Sequence, residues 1–168
     1  MAKNPTHKAI KFSSLERDYG AHFFRDALSR YLVQLSNPDM SSRQIERKAI
    51  TLEVPFNTVP TFQRIKFSTP DPYAKDEPQS QDSRAIRYCY RITQVRVVFT
   101  LPERLAATIL PPNIRPPTHL AHVEWFSAFK SQPERHRLMY KVTRVIKNGD
   151  HWASIIPVNN IRRSVHLL

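Results

Sequence analysis

The chain has 168 residues, 40% of them hydrophobic, and a formal net charge of +12 at pH 7. This composition is typical of a globular protein and excludes a disordered chain, and no apolar run approaches the roughly 20 residues of a membrane span, so we expect no membrane contact. The charge is uneven, because residues 84–168 contain 14 Lys and Arg against 4 Asp and Glu, whereas residues 1–83 contain 12 against 10.

The N-terminal part is predicted to contain a pair of helices. Residues 1–12 are basic and polar, and we expect them to form a loose arm. Helical periodicity begins at Ala21, and one stripe contains Phe24, Leu28, Tyr31, Leu32 and Leu35. Pro38 ends this helix, and Ser41 begins a shorter one, with Gln44 placed to complete a capping box. The second helix has an apolar ridge that should pack on the first, formed by Ile45, Ala49 and Ile50.

A change of pattern follows the helices. Residues 62–67 read as one short strand. The segment 68–83 is polar, contains several prolines and is net acidic, which is typical of a flexible linker or a long loop, and we place the domain boundary there. We therefore predict an N-terminal region at 10–67 and a basic C-terminal domain at 84–168.

The C-terminal domain has the period of β-strands. Ile86, Tyr88, Tyr90 and Ile92 share one face, and the phase changes near Thr93-Gln94, which predicts a β-bulge. A helical turn is expected at 103–108. Further strands are predicted at 120–126, 138–147, 152–156 and 161–168.

Two turns connect the last of these strands. Asn148-Gly149 is a strong hairpin signal, because both residues tolerate positive φ. Residues 157–160 form a tight turn, with one 3₁₀ turn, before the final strand. A hairpin, a strand, a proline turn and a short last strand are the ending of SH3-like barrels. The predicted fold class is α+β, with an N-terminal helical pair and a short strand followed by a small antiparallel SH3-like β-barrel.

Four segments of the chain, residues 21–28, 37–44, 119–126 and 153–167, form a recognisable set. They resemble the C-terminal region of proteins from Plavaka-type DNA transposons of mushroom-forming fungi, and the resemblance covers most of residues 10–168. It implies a module that accompanies a cut-and-paste transposase. The family's RNase H-like catalytic core, with its metal-binding carboxylates, would lie upstream, so the resemblance transfers no catalytic residue to this chain.

Basic side chains on the predicted strands are the candidates for phosphate contacts. They are Arg87, Arg91, Arg96, Lys141, Arg144, Lys147, Arg162 and Arg163. Arginine forks suit bidentate contact with phosphates, and a strongly basic module attracts polyanions by releasing their counterions. A solvated face that protects strand edges explains single residues, but not the excess of 14 over 4. We therefore expect a non-catalytic, nuclear protein that binds nucleic acid. The expected ligand is duplex DNA, contacted mainly at its phosphate backbone.

Aromatic residues support an alternative function. Trp125 and Phe126 are neighbours on one predicted strand, so they cannot both face inward, and one of them is a candidate for a contact. An aromatic groove on a barrel could instead bind a peptide, as in a protein-interaction or chromatin-reader module. The amphipathic helices in 21–50 also offer a surface for a protein partner or for self-association.

The sequence predicts neither a metal, a cofactor nor an active site. His119 and His122 lie three apart on a predicted strand and therefore on opposite faces, which is poor spacing for a shared metal. Gly20 and Gly149 are the only glycines, which excludes glycine-rich phosphate loops. The single cysteine, Cys89, excludes an internal disulfide and fits a reducing compartment.

Overall fold

The computed structural model describes residues 4–63, 91–129, 132, 140–147 and 149–161. Within these ranges five antiparallel strands form one sheet in the order β1-β2-β3-β4-β7. They are β1 (His7–Lys11), β2 (Thr58–Phe62), β3 (Thr93–Phe99), β4 (Leu120–Trp125) and β7 (Ala153–Pro157). A separate hairpin pairs β5 (Ile146–Lys147) with β6 (Asp150–His151). Helices together with an antiparallel sheet confirm the α+β class.

The expected loose arm is wrong over its described part, because it contains an edge strand. β1 pairs with β2, placing Ile10 opposite Val59 and Lys11 opposite Thr58. Most side chains of β1 are exposed, and only Ile10 is half-buried against the core. An edge strand of this kind is held by backbone hydrogen bonds, so its side-chain pattern contains little signal.

A short helix that the sequence analysis did not predict follows directly. α1 (Phe12–Tyr19) buries Phe12 and Leu15. It ends at Gly20, whose φ of 64° is left-handed and whose backbone N–H donates to the carbonyl of Leu15. This is the usual way in which glycine ends a helix.

The predicted helical pair is confirmed as α2 (Phe24–Ser36) and α3 (Ser42–Thr51). The capping box is also confirmed, since the backbone N–H of Ser41 donates to Oε1 of Gln44 at 2.9 Å. α3 has no buried residue among those described, and Ile45 and Ala49 are only half-buried. Ile50 is 86% exposed, so the expected apolar ridge is wrong at this position.

The main core lies between the helices and one face of the sheet, and both predicted regions contribute to it. Its buried residues include Leu15, Phe24, Leu28, Leu32 and Val59 before residue 64, and Val97, Phe99, Leu120 and Ile155 after residue 90. β2 pairs with β3, with Thr61 opposite Phe99, so the sheet also joins the two regions. The predicted linker 68–83 lies outside the described residues and stays a prediction.

Most C-terminal elements lie where the sequence places them. β3 pairs with β4, and the register shifts between Val95 and Val97, just beyond the predicted bulge at Thr93-Gln94. α4 (Glu103–Ile109) and a 3₁₀ helix (Val158–Asn160) confirm the predicted turns. β5 and β6 pair across the predicted hairpin, with Gly149 at a φ of 89°.

Two strand predictions differ from the structure or lie outside it. Of the strand predicted at 138–147, the described residues place only Ile146–Lys147 in a strand, and a single bridge joins Arg144 to Phe126. The final strand predicted at 161–168 lies outside the described residues except for Ile161.

The SH3-like barrel is not confirmed. As far as the described strands go, the sheet is open, with β1 at one edge and β7 at the other. Two strands from residues 1–63 extend the sheet, whereas the predicted barrel used only residues 84–168. None of the described helices combines the length and apolar character that crossing a bilayer requires.

Candidate nucleic-acid interface

Five of the eight predicted phosphate-binding residues lie in the described part of the chain. Arg87, Arg162 and Arg163 lie outside it and stay predictions. The five described residues are Arg91, Arg96, Lys141, Arg144 and Lys147. Four of them bind protein groups, and the nature of these partners decides how available each cation is.

Arg96 and Arg144 share one buried carboxylate. Nη2 of Arg96 lies 2.9 Å and Nη1 of Arg144 lies 2.5 Å from Oε2 of Glu124, whose residue is 1% exposed on the central strand β4. Burial alone raises the pKa of Glu124, but the hydrogen bond from Arg96 and the charges of both arginines outweigh it and lower that pKa. Glu124 is therefore ionised near neutral pH, and the two arginines neutralise it instead of facing solvent as a free pair.

Arg144 is held further by contacts on either side of this ion pair. Its Nη2 donates to Oε1 of Gln94 at 2.7 Å, and its guanidinium lies 5.6 Å from the ring centroid of Phe126. Phe126, an aromatic candidate from the sequence, is itself buried. Arg144 thus stabilises the β-bridge that joins Phe126, just after β4, to the segment before β5. Because Phe126 is buried, a base cannot stack on its ring.

Arg91 lies over a pair of tryptophans. Its guanidinium carbon is 5.0 Å from the ring centroid of Trp125 and 5.2 Å from that of Trp152, and the two centroids are 6.1 Å apart. Nη2 of Arg91 also donates to the carbonyl of Phe126 at 3.3 Å, and Nε1 of Trp125 donates to Oγ of Ser154 at 2.9 Å. A cation therefore covers the aromatic pair that a peptide-binding groove would need to leave open.

A second aromatic pair is more exposed. Phe129 and Tyr140 are both exposed, with ring centroids 5.3 Å apart in an edge-to-face arrangement. Lys141 follows directly and is also exposed. Of the five described candidates, Lys141 is the one with no hydrogen bond or ion pair to another described residue.

Lys147 connects the hairpin to α3. Its Nζ forms an ion pair with Oε1 of Glu46, and Asp150 lies opposite it in the hairpin. The hydrogen bond from Lys147, followed by its charge and those of Arg30 and Arg43, lowers the pKa of Glu46. Three basic residues from α2, α3 and β5 thus surround one carboxylate, which remains ionised at neutral pH.

α3 has an exposed basic face whose residues are not among the eight phosphate-binding residues predicted from the sequence. Arg43 and Arg47 are exposed and lie on the same side of the helix as Glu46 and Ile50, at the spacing i, i+3, i+4 and i+7. Lys48 is exposed beside them, with its Nζ 3.4 Å from Oδ1 of Asn37. We call these five residues, Arg43, Glu46, Arg47, Lys48 and Ile50, the α3 surface.

The α3 surface could have been found from the sequence. Arg43 and Arg47 are four residues apart on a helix whose apolar positions are few, which places both on the open side. The excess of basic residues after residue 84 gives no indication of a basic helix in the nearly neutral half. The cations available to a ligand are thus partly on α3, whereas several strand arginines stabilise the fold.

His122 lies on β4 and His119 just before that strand, so neither belongs to the α3 surface. Nε2 of His122 lies 3.2 Å from the carbonyl of His22, and because a carbonyl only accepts, Nε2 carries the proton. Burial lowers the pKa of His122 to about 4, so the ring is neutral at pH 7. His119 faces the other side of the sheet, with its ring edge-on to Phe62. In the ranges that the structure describes, no three His, Cys, Asp or Glu side chains are grouped so as to hold a metal ion.

Comparison with protein-family models, with curated proteins and with solved structures found no match for the chain.

Proposed function

We propose that this protein binds duplex DNA without catalysing a reaction, mainly through contacts to the phosphate backbone. The observation that carries the proposal is the α3 surface, where Arg43, Arg47 and Lys48 are exposed and donate to no carboxylate among the described residues. The chain as a whole has a formal net charge of +12, so its field attracts a polyanion over a long range.

The basic residues that form no ion pair within the protein are the ones available to contact phosphate. Arg96 and Arg144 neutralise Glu124, so they position the sheet, while Arg47, Lys48 and Lys141 remain for the ligand. Arg43 is also exposed, but its charge is partly offset by that of Glu46. Exposed lysine and arginine side chains release counterions when they contact DNA, which makes affinity fall as salt rises. We include in this proposal an origin in a transposon and a role as an accessory domain in the nucleus, which rest on the sequence resemblance.

The pair formed by Trp125 and Trp152 favours nucleic acid over a peptide partner. A peptide-binding groove needs an open aromatic surface, and a groove for methylated lysine is usually rimmed by acids. Trp125 and Trp152 are instead covered by the guanidinium of Arg91. At this pair the protein-interaction alternative therefore lacks an open surface, and it would need the exposed Phe129 and Tyr140 instead.

The test is a titration with a duplex of arbitrary sequence at several salt concentrations. We expect the logarithm of the association constant to fall linearly with the logarithm of salt, by roughly 0.9 per phosphate neutralised. The double variant Arg43→Ala/Arg47→Ala should flatten this slope by about 2. The matched control is Lys8→Ala/Lys11→Ala, which removes the same charge from β1 at the opposite edge of the sheet from β7 and should leave the slope near its original value.

Glu46 allows a test in the opposite direction. Glu46→Gln removes the carboxylate near Arg43 and frees Lys147, so affinity for every duplex should rise and the salt slope should steepen. Affinity that does not change with salt, or charge variants on α3 that bind as well as the original protein, would refute the electrostatic basis of the proposal.

A further inference from the structure

Most of the circumference of α3 is open to solvent. It packs against α2, and although Ile45, Glu46 and Ala49 are half-buried, no described residue of the helix is fully buried. An amphipathic helix of a globular protein normally buries a wide apolar stripe. An almost uncovered helix on a folded scaffold is therefore in a position to be covered by a ligand.

The dimensions of α3 suit the major groove of DNA. A helix with its side chains is about 10–12 Å across, and the groove of B-form DNA is about 12 Å wide. The residues from Arg43 to Ile50 rise by roughly 10 Å along the helix axis, the length of about three base pairs. The side chains of Arg43, Arg47 and Ile50, which lie along this length, could thus contact neighbouring bases.

The side chains of the α3 surface can bind base edges as well as phosphates. Arg43 and Arg47 have the planar fork that donates to O6 and N7 of guanine. Ile50 is 86% exposed, and an apolar side chain at this position can contact the methyl group of thymine. Glu46 lies between the arginines in sequence, but its ion pair with Lys147 draws the carboxylate toward the hairpin.

The turn before α3 is built to hold the helix in one orientation. Side-chain Nδ2 of Asn37 donates to the carbonyl of Val33 at 3.0 Å, and Oδ1 of the same residue accepts from Lys48. The capping box of Ser41 and Gln44 fixes the first turn of the helix. Two helices joined by a short turn, with the second one exposed, is the arrangement in which many proteins present a helix to the major groove.

We propose that α3 enters the major groove of duplex DNA and that Arg43, Arg47 and Ile50 read base edges there. This inference rests on the proposed function and extends it, because it adds a preference for sequence to a backbone-directed interaction. The ligand is double-stranded DNA, with guanine contacted by arginine and thymine by isoleucine.

The experiment selects duplexes from a random library with the full chain at about 0.15 M salt, and then maps the contacts by methylation of guanine N7, which lies in the major groove. We expect the selected duplexes to share a short motif containing guanine, and N7 methylation inside that motif to block binding. The variants Arg43→Lys and Arg47→Lys keep the charge and the helix propensity but lose the fork. Each should lower affinity for the motif by roughly 5- to 150-fold, with a much smaller effect on unrelated duplex.

Ile50→Ala tests the apolar contact separately. It should relax the preference at one position of the motif, whereas Lys8→Ala/Lys11→Ala should leave the preference unchanged. Circular dichroism of each variant at the assay temperature establishes that the helices are intact.

The possible failures are distinguishable. A protein that binds duplexes but enriches no motif, or a motif insensitive to N7 methylation, overturns the inference and leaves backbone-directed binding in place. Preference for an acidic protein or for single-stranded RNA over any duplex overturns both.

Discussion

The clearest prediction concerns the buried carboxylate of Glu124. In Glu124→Gln the shape is kept, but Arg96 and Arg144 lose their shared counter-charge. Removing one partner of a buried ion pair typically costs about 3–5 kcal/mol. The arginine side chains here are 21% and 36% exposed, so water recovers part of that loss, and we expect a decrease in unfolding free energy of about 2–4 kcal/mol.

Urea denaturation followed by tryptophan fluorescence suits this measurement, because one of the chain's two tryptophans, Trp125, directly follows Glu124. With a slope of roughly 2 kcal/mol per molar urea, the midpoint should shift by about 1–2 M. Glu53→Gln, the same chemical change at an exposed position outside the helices and strands, is the control and should leave the midpoint in place.

The two arginines should also be coupled in a double-mutant cycle. Arg144→Gln alone leaves Glu124 paired with Arg96, so its effect should be smaller than that of Glu124→Gln. Once the carboxylate is gone, the same replacement removes an unpaired cation, and the combined loss should be less than the sum. A midpoint for Glu124→Gln within about 0.2 M of the original, or strict additivity in the cycle, would show that the shared carboxylate does not hold the sheet as described.

The remaining predictions concern single positions. Because burial lowers the pKa of His122 to about 4 while the unfolded value is near 6.5, protonation favours the unfolded chain. The contribution of His122 to stability should therefore fall by about 3 kcal/mol as pH drops from about 6.5 to 4. In urea melts at several pH values His122→Gln should remove this part of the dependence and leave the part due to His119, whose pKa burial also lowers. Gly20→Ala forces an alanine to a φ of 64° with its Cβ 3.4 Å from Nη1 of Arg96, and the melting temperature should drop in line with a loss of about 1–2 kcal/mol. Phe23 has a φ of 56° at the start of α2 and is 42% exposed, so Phe23→Asn should relieve strain and raise stability by up to about 1 kcal/mol; a lower melting temperature would mean that its ring packing outweighs the strain.

Local signals in the sequence predicted the elements whose determinants lie close together. The stripe of α2, the capping box at Ser41 and the hairpin at Gly149 depend on residues a few positions apart, and each is confirmed. The edge strand β1 was missed because its pairing with β2 is a backbone property that leaves most of its side chains in water.

The state of the basic residues could not be predicted, because their partners are distant in sequence. Glu124 lies 28 residues from Arg96, and Lys147 lies 101 residues from Glu46. Counting charges along the chain finds an excess of cations but cannot say which of them the fold neutralises. That depends on the pairing of strands and on which helix reaches the hairpin.

The pairing of β2 with β3 also bears on how the protein can be divided. The described residues before residue 64 and after residue 90 each supply part of one core, so a fragment ending before β3 would leave β2 paired with β1 alone, with its other edge open, and would expose part of the surface of Phe24 and Leu28. Unpaired strands with an apolar face tend to aggregate. Produced together, however, the two fragments have complementary edges and should reassociate, which would make this fold a starting point for a split reporter.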